Sequence, residues 1–544
     1  EADLVGHLKN ANAPDDLCGR FMAHKHLKVL KMTVPIRQTL FAIALFISSA
    51  CGLIIEIVAG RLLAPYVGMS LYTWTAIIAV VLAGFSVGHW IGGLLAAPHV
   101  ETRAGARRVG WALAASAVSS LAILVLLRAV ASLLMPSGLG PIPVIIILST
   151  ALFFLPSLFV GIVSPILTKL AVDDDQNRHP GKVIGRMYAL GTLGSIAGTM
   201  LAGYVFISWI GSVGTVLMVA AVYAALAAFF FFTDRFRVAA LAAMIVGLGA
   251  VGLWGNQLKA FSSPCTLESD YFCIRVDPAP MFGPSARLMA LDHLVHSIND
   301  GAAPGLLYSP YIHFVDEYAK RRLGGKAPAA YFIGGGGFSL PRAWAHEYGA
   351  EADLVVAEID PGVTNVAADM LWLNPTAPGL RIVHRDARAY LQSLAAQPAF
   401  DMIFGDAFHD IAIPQHLVTR EFHDEIARRL NSDGFYAINA VDNGQNPRFL
   451  MALVKTLYQT FDSVEVWTER DEMNGYGRVT FLLIASNRSI AAPTLTAQRG
   501  PERSWVRWPE HELKARAQMP DVVTLSDDFA PVDRLMSDLL LSPE

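Results

Sequence analysis

The chain has 544 residues, a formal net charge of −4, 53% hydrophobic residues and a mean hydropathy of +0.43. That apolar excess excludes an ordinary soluble enzyme and implies a bilayer. Residues 1–255 carry 17 basic against 10 acidic residues and residues 256–544 carry 25 against 36, so the second half, net acidic and without a basic run, excludes nucleic acid and suits a cationic small ligand.

Residues 1–37 read as a basic N-terminal extension. Seven apolar stretches follow, at about 38–60, 72–97, 111–134, 143–168, 187–209, 212–232 and 238–255. Each approaches the ~20 residues that a helix needs to cross a hydrocarbon core. The first has no small-residue cleavage site behind it, so it is expected to be a helix and not a removable signal peptide. Basic residues alternate between loops: Lys25, Lys28, Lys31 and Arg37, then Arg103, Arg107 and Arg108, then Lys169, Arg178, Lys182 and Arg186, then Arg235 and Arg237. The intervening loops carry only Arg61. This pattern places the N-terminus in the cytoplasm, and seven crossings then deliver the second half outside. Glu56 and Arg61 are the ionisable groups to watch at membrane depth. The stretch "GTLGSIAGTMLAG" at 191–203 suits close helix packing.

Residues 256–300 are expected to form a β-rich lead-in, residues 301–488 an α/β domain and residues 489–544 a partly helical tail. From Ala329 short β-like runs alternate with helical stretches, the signature of a parallel sheet with helices on both faces. "AAYFIGGGG" reads as a buried strand ending in a glycine loop, "ADLVVAEID" as a second strand, "LRIVHRDA" as a third, "FDMIFGDAF" as a fourth and "GFYAINAV" as a fifth. "SVEVWTE" and "RVTFLLIAS" would make a closing antiparallel pair. Ligands of such sheets bind beyond the carboxyl ends of the strands, where the strand order reverses. Gly334, Gly335, Gly336 and Gly337 would let a ligand approach the backbone and free the N–H groups of the next helix for an anion. Glu358 ends the second strand, 24 residues after Gly334, where a carboxylate can accept from both ribose hydroxyls. Asp386 ends the third, within reach of an adenine amino group, and Asp406 ends the fourth, beside a reacting centre. The loop has neither the GxGxxG spacing nor a GK[ST] end, so adenosyl-sulfonium compounds lead over NAD or ATP.

The elements "GGGG", "EID", "RDAR" and "DMIFGDAF", preceded by "LESDYFCIRVDP" and "ARLMALDHLVHSIND", resemble the spermidine synthase family over about residues 266–487. With "GRLLAPYVGMSLYTW" and "GRMYALGTLGSIAGT", the chain resembles the bacterial subfamily that fuses a multi-span membrane domain to such a domain. The resemblance implies a Rossmann-like fold of the class I methyltransferase type, an integral protein of the bacterial inner membrane, and aminopropyl transfer from decarboxylated S-adenosylmethionine to an amine. It implies Asp406 as the catalytic carboxylate, with His409 or Asp410 standing for a displaced second acid. Glu358 would hold the ribose, Asp386 the adenine, His296 would replace a cofactor-binding Gln, and Tyr271 would meet the substrate. The chain departs from the family's GGGDG loop at Gly337 and Phe338, and from its Asp-Ser-x-Asp-Pro motif at residues 406–410.

Other readings of the same residues stay open: a methyltransferase using intact S-adenosylmethionine, or a transporter or sensor that binds a nucleoside or polyamine without turnover. The expected partners are the bilayer and a small-molecule amine or other acceptor, with a homo-oligomer left open. Cys18, Cys51, Cys265 and Cys273 show no metal-ligand spacing. Cys265 and Cys273 could pair if the second half lies outside, a placement in tension with the cytosolic origin of adenosyl-sulfonium compounds.

Overall fold

A computed structural model describes residues 34–96, 102–174, 179–232, 237–408, 412–472, 475, 477–489 and 492–541. The apolar half forms helices α1 (Val34–Val67), α2 (Leu71–Leu95), α3 (Thr102–Leu134), α4 (Pro141–Asp173), α5 (Pro180–Leu201), α6 (Ile207–Phe231) and α7 (Arg237–Gln257). A π-helical turn, Ala202–Phe206, joins α5 to α6. Among the described residues, six continuous runs are long and apolar enough to cross a membrane, by length and composition. The sequence count of seven differs at one place, because the stretches at 187–209 and 212–232 fall within the single run Pro180–Phe231.

That run breaks at Gly211, whose φ of 71° and ψ of 173° no helix contains and glycine alone adopts without strain. Gly194 and Gly198 of α5 lie against Phe46 and Ala50 of α1, so the two helices advance together. Along α6 the order inverts: Tyr223 donates to the Ser48 carbonyl at 3.2 Å and Phe230 stacks on Phe41. The run therefore doubles back at Gly211, and its two arms are antiparallel. Arg37 at the start of α1 pairs with Asp174, whereas Arg61 near the end of α1 bonds residues 269–272 of the second half. The second half thus sits at the end of the bundle opposite Arg37.

Four antiparallel strands lead in: β1 (Leu267–Glu268), β2 (Cys273–Pro278), β3 (Arg287–Leu291) and β4 (Leu294–Asn299). A disulfide joins Cys265 to Cys273, their Cα atoms 5.3 Å apart, and encloses the turn between them. Next come β5 (Ala329–Ile333), β6 (Asp353–Ala357), β7 (Leu380–Val383), β8 (Phe400–Gly405), β9 (Leu430–Asn443), β10 (Ser463–Glu469), β11 (Arg478–Ser486), β12 (Thr494–Thr496) and β13 (Ser504–Arg507). They make one nine-stranded sheet in the order β12-β13-β10-β11-β9-β8-β5-β6-β7, with β5 to β9 parallel and the rest antiparallel.

Alternate residues of each central strand feed opposite faces, as a pleated sheet covered on both sides requires. Tyr331, Ile333, Val355 and Ile403 pack with α12 (Arg420–Ala427) and α13 (Arg448–Leu457). Phe332, Leu354, Val356 and Phe404 pack on the other side with α8 (Pro310–Leu323) and α9 (Ser339–Tyr348). Residues 489–544, expected only as a partly helical tail, instead supply β12 and β13. Trp505 of β13 is fully buried against Phe314 and His313, so this segment is part of the core. The tail continues through α14 (Glu510–Ala517), α15 (Val532–Leu535) and α16 (Ser537–Leu541).

Candidate active site

The chain leaves β5, crosses outward to β6 and β7, then returns to β8 on the other side of β5. Its strand order therefore reverses between β5 and β8, and a crevice opens beyond their carboxyl ends. A cavity of about 400 Å³ lies there, within the size range of small-molecule sites. Its walls include Tyr271, Phe272, His296, Gly334, Gly336, Glu358, Asp386 and Asp406. The three carboxylates chosen from strand-end spacing thus converge on one hollow.

At its centre, Asp406 follows β8. The amide of Asp406 donates to the Ile333 carbonyl at 2.9 Å, which locks the two strand ends together. Gly334, at φ 93°, is obligatory, because a Cβ there would stand 2.7 Å from the Asp406 carbonyl oxygen. Burial pushes the Asp406 carboxyl up to about 7, against the opposing pull of hydrogen bonds from Asn439 and Tyr311. Asn439 of β9 donates from Nδ2 to Asp406 Oδ1 at 2.8 Å. Tyr311 of α8 adds to that pull, while its hydroxyl donates to the His296 carbonyl at 3.4 Å and burial raises its own pKa well above normal. A carboxyl near neutrality, held by a neutral amide donor, can take a proton at physiological pH.

The nucleoside wall is built around Glu358, which is buried at the end of β6. Its Oε2 accepts from the amides of Gly335 at 2.8 Å and Gly336 at 3.3 Å, and its Oε1 accepts from the Asp360 amide at 2.9 Å. Burial raises its pKa, and these three bonds oppose the shift. Two of the loop amides are thus turned toward Glu358. Gly337 is also not where the loop reading put it. It faces the lead-in, its carbonyl accepts from Asn299 Nδ2 at 2.6 Å, and it does not line the cavity. A Cβ at 337 would fall 1.8 Å from Ser297 Oγ, so the acidic side chain expected from the family loop has no room.

Asp386 caps α11 (Ala387–Ser393) through the Ala389 amide at 2.8 Å and meets His416 Nε2 with its other oxygen at 2.8 Å. His296 hydrogen-bonds the Leu294 carbonyl through Nδ1 at 3.0 Å, and burial lowers its pKa. A neutral ring bonded in this way keeps Nε2 as an acceptor. Tyr271 is half exposed at the rim. His409 and Asp410 lie outside the described residues. Sequence reasoning missed Asn439, Tyr311, His416, Arg385 and Asp533, the last four reaching the site from helices or loops. Asn439 alone had a local signal, a polar residue inside the apolar run of β9. Among the described residues no cluster of three or more His, Cys, Asp or Glu side chains could hold a metal ion.

No protein-family model matches the chain. Over 134 residues, 24% of its length, it is 34% identical to a polyamine aminopropyltransferase of Vibrio vulnificus, of which the match spans 44%. A probable spermidine synthase of Corynebacterium glutamicum aligns over 50% of this chain and 99% of its own, at 19% identity and a TM-score of 0.42. The spermidine synthase of Thermotoga maritima aligns over 46% and 83%, at 18% identity and a TM-score of 0.34. Over that stretch of 134 residues the chain, which spans less than half of the Vibrio vulnificus relative's length, is similar to a polyamine aminopropyltransferase.

Proposed function

We propose that the protein is a membrane-bound transferase that moves an aminopropyl group from decarboxylated S-adenosylmethionine to an amine. The observation that carries this reading is Asp406, a carboxyl held near pH 7 at the switch point, in one hollow with Glu358 and Asp386. A protonated amine has no lone pair. Asp406 orients it and takes its proton; the freed pair attacks the carbon beside the sulfonium, the new C–N bond forms as C–S breaks, and the bonding pair returns to sulfur as a neutral thioether. Glu358 holds the ribose, Asp386 the adenine edge and His296 the sulfonium-bearing chain, with Gly334 and Gly336 giving the close approach.

Charge favours the decarboxylated over the intact compound. Intact S-adenosylmethionine would bring a carboxylate toward Asp406, and the one permanent cation on the described wall, Arg385, adjoins Asp386 at the far end. The apolar helices are compatible with an integral membrane protein. The alternation of basic loops supports a reading with the bundle end at Arg37 in the cytoplasm and the cleft on the outer side of a bacterial inner membrane. The Cys265–Cys273 bridge supports that side, since disulfides persist in oxidising compartments.

Purified protein, incubated with labelled decarboxylated or intact S-adenosylmethionine and a panel of amines, tests the proposal. Label in an aminopropylated amine is the expected result. Methylated product would establish the methyltransferase reading, and binding without product the sensor or transporter.

A further inference from the structure

Arg61 is the last charged residue of α1, and its guanidinium is committed to the second half of the chain. Nη1 donates to the Tyr271 carbonyl at 2.6 Å, and Nη2 to the Ser269 carbonyl at 2.5 Å and the Phe272 carbonyl at 3.3 Å. All three acceptors belong to the turn between β1 and β2, and Tyr271 and Phe272 are cleft wall. The turn is further tied at both ends. The Cys265–Cys273 bridge closes it, and Glu268 accepts from the Ser212 amide at 2.8 Å, just past the Gly211 break.

From this turn a continuous hydrogen-bond path runs to the nucleoside wall. Ser269 Oγ accepts from the Phe272 amide at 2.9 Å and donates to the Asp360 carboxylate. The Asp360 amide donates to Glu358 Oε1, and Glu358 Oε2 holds the amides of Gly335 and Gly336. The opposite side of the cleft repeats the arrangement: Asp533 of α15 lines the cavity, and α16, directly after it, packs on α4. Both walls of the cleft are therefore continuous with segments that touch the bundle.

We propose that Arg61 is a positioning residue for the cleft, so that the helical bundle sets the cleft's affinity for an adenosyl ligand. The inference rests on the nucleoside-pocket reading above. Its physical basis is geometric. A planar guanidinium can fork to several carbonyls at once, which fixes the turn in orientation as well as place. A shift of α1 against the second half then moves Tyr271 and Phe272 directly, and the Glu358 carboxylate through Ser269 and Asp360. Lysine at 61 would keep the charge and lose the fork.

The test uses the full chain in lipid nanodiscs, as wild type, Arg61→Ala, Arg61→Lys, Ser269→Ala and Arg128→Ala. Arg128 bonds the Ser262 carbonyl at the same bundle end at 3.1 Å and is not among the described residues that line the cleft, so it controls for general loosening of the interface. Calorimetry with S-adenosylhomocysteine as the probe reads affinity, and hydrogen exchange reads the amides of Gly335, Gly336 and Asp360. Arg61→Ala is expected to weaken binding by about tenfold and to speed exchange at those amides. Arg61→Lys should fall between it and wild type, Ser269→Ala should reproduce the faster exchange, and Arg128→Ala should match wild type. Wild-type exchange at Gly335 and Gly336 in Arg61→Ala overturns the proposal, as does an equal effect from Arg128→Ala. Failure of the wild type to bind any adenosyl compound would instead sink the pocket reading, with exchange still deciding whether Arg61 positions the loop.

Discussion

Asn439 donates from Nδ2 to Asp406 Oδ1 at 2.8 Å, so the carboxyl at the switch point is held by a neutral amide from the neighbouring strand. The bond pulls the Asp406 pKa down while burial pushes it up, and burial wins, leaving it at about 7. If Asp406 is the base, kcat/KM rises with pH up to about 7 and levels off above it. Asn439→Ala removes the opposing pull and moves this limb to higher pH. Asp406→Asn lowers kcat about 10²–10⁴-fold, abolishes the limb and leaves adenosyl-ligand affinity close to wild type. Stability carries the opposite sign. The folded pKa exceeds the unfolded value near 4, so protonation favours the fold. The Asp406 contribution is full below pH about 4 and lost as pH rises through about 7. Denaturant titrations of wild type and Asp406→Asn across this window check it, with the pH dependence reduced in the variant.

Glu358 accepts three backbone amides, so it shapes the glycine loop before any ligand arrives. Glu358→Ala strands those donors in a buried site, at a cost of about 1–3 kcal/mol for each one left unsatisfied. Its expected outcome is a large loss of stability, which would obscure a binding measurement. Glu358→Gln retains one acceptor oxygen and the side-chain shape. That variant should fold and bind S-adenosylhomocysteine at least about tenfold more weakly by calorimetry. Wild-type affinity in a folded Glu358→Gln protein would remove Glu358 from the ligand site.

Strand-end spacing made much of this legible. Gly334, Glu358, Asp386 and Asp406 each follow a β-run at the point where an open α/β sheet keeps its crevice, so period and position sufficed to bring them together. Their occupants were not legible in the same way. That the Gly335 and Gly336 amides turn to Glu358, and that Asp386 meets His416, depends on groups 22 to 30 residues apart choosing each other over a ligand. The contacts of Arg61 with residues 269–272 span more than 200 positions and leave no periodic trace. β13 was hidden for another reason: four residues, Ser504–Arg507, among polar neighbours give too short an alternation to read.

Loop position 337 offers a test of how tightly the lead-in packs on the glycine loop. A side chain at 337 would meet Ser297 Oγ and Cβ at 1.8 and 2.5 Å, and Leu371 at 3.3 Å. Gly337→Asp is therefore expected to destabilise the protein by about 1–3 kcal/mol through overpacking. The buried Ser297 hydroxyl has no hydrogen-bond partner among the described residues, so trimming it should be tolerated. Gly337→Asp combined with Ser297→Gly should recover most of the loss. Thermal unfolding of the single and double variants checks this, and equal destabilisation in both would mean that the obstruction lies elsewhere.

The Cys265–Cys273 bridge closes a loop of eight positions around the turn that carries Ser269, Tyr271 and Phe272. In the chain-entropy account a loop of this size contributes about 2.5 kcal/mol, so Cys273→Ser should lower stability by roughly that amount. Its effect on the cleft should be local: the same turn is gripped by Arg61, and Tyr271 would gain freedom while Asp406 stays fixed by Ile333 and Asn439. The bridge also reports on the side of the membrane. With the cleft outside, as the basic loops imply, the two thiols in intact cells resist a membrane-permeant alkylating agent until a reductant is added. Both should resist together, and a C-terminal reporter that works only outside the cytoplasm should be active. Immediate alkylation of Cys265 and Cys273 without reductant, with a reporter active only in the cytosol, would reverse the orientation and place the cleft where adenosyl-sulfonium compounds are made.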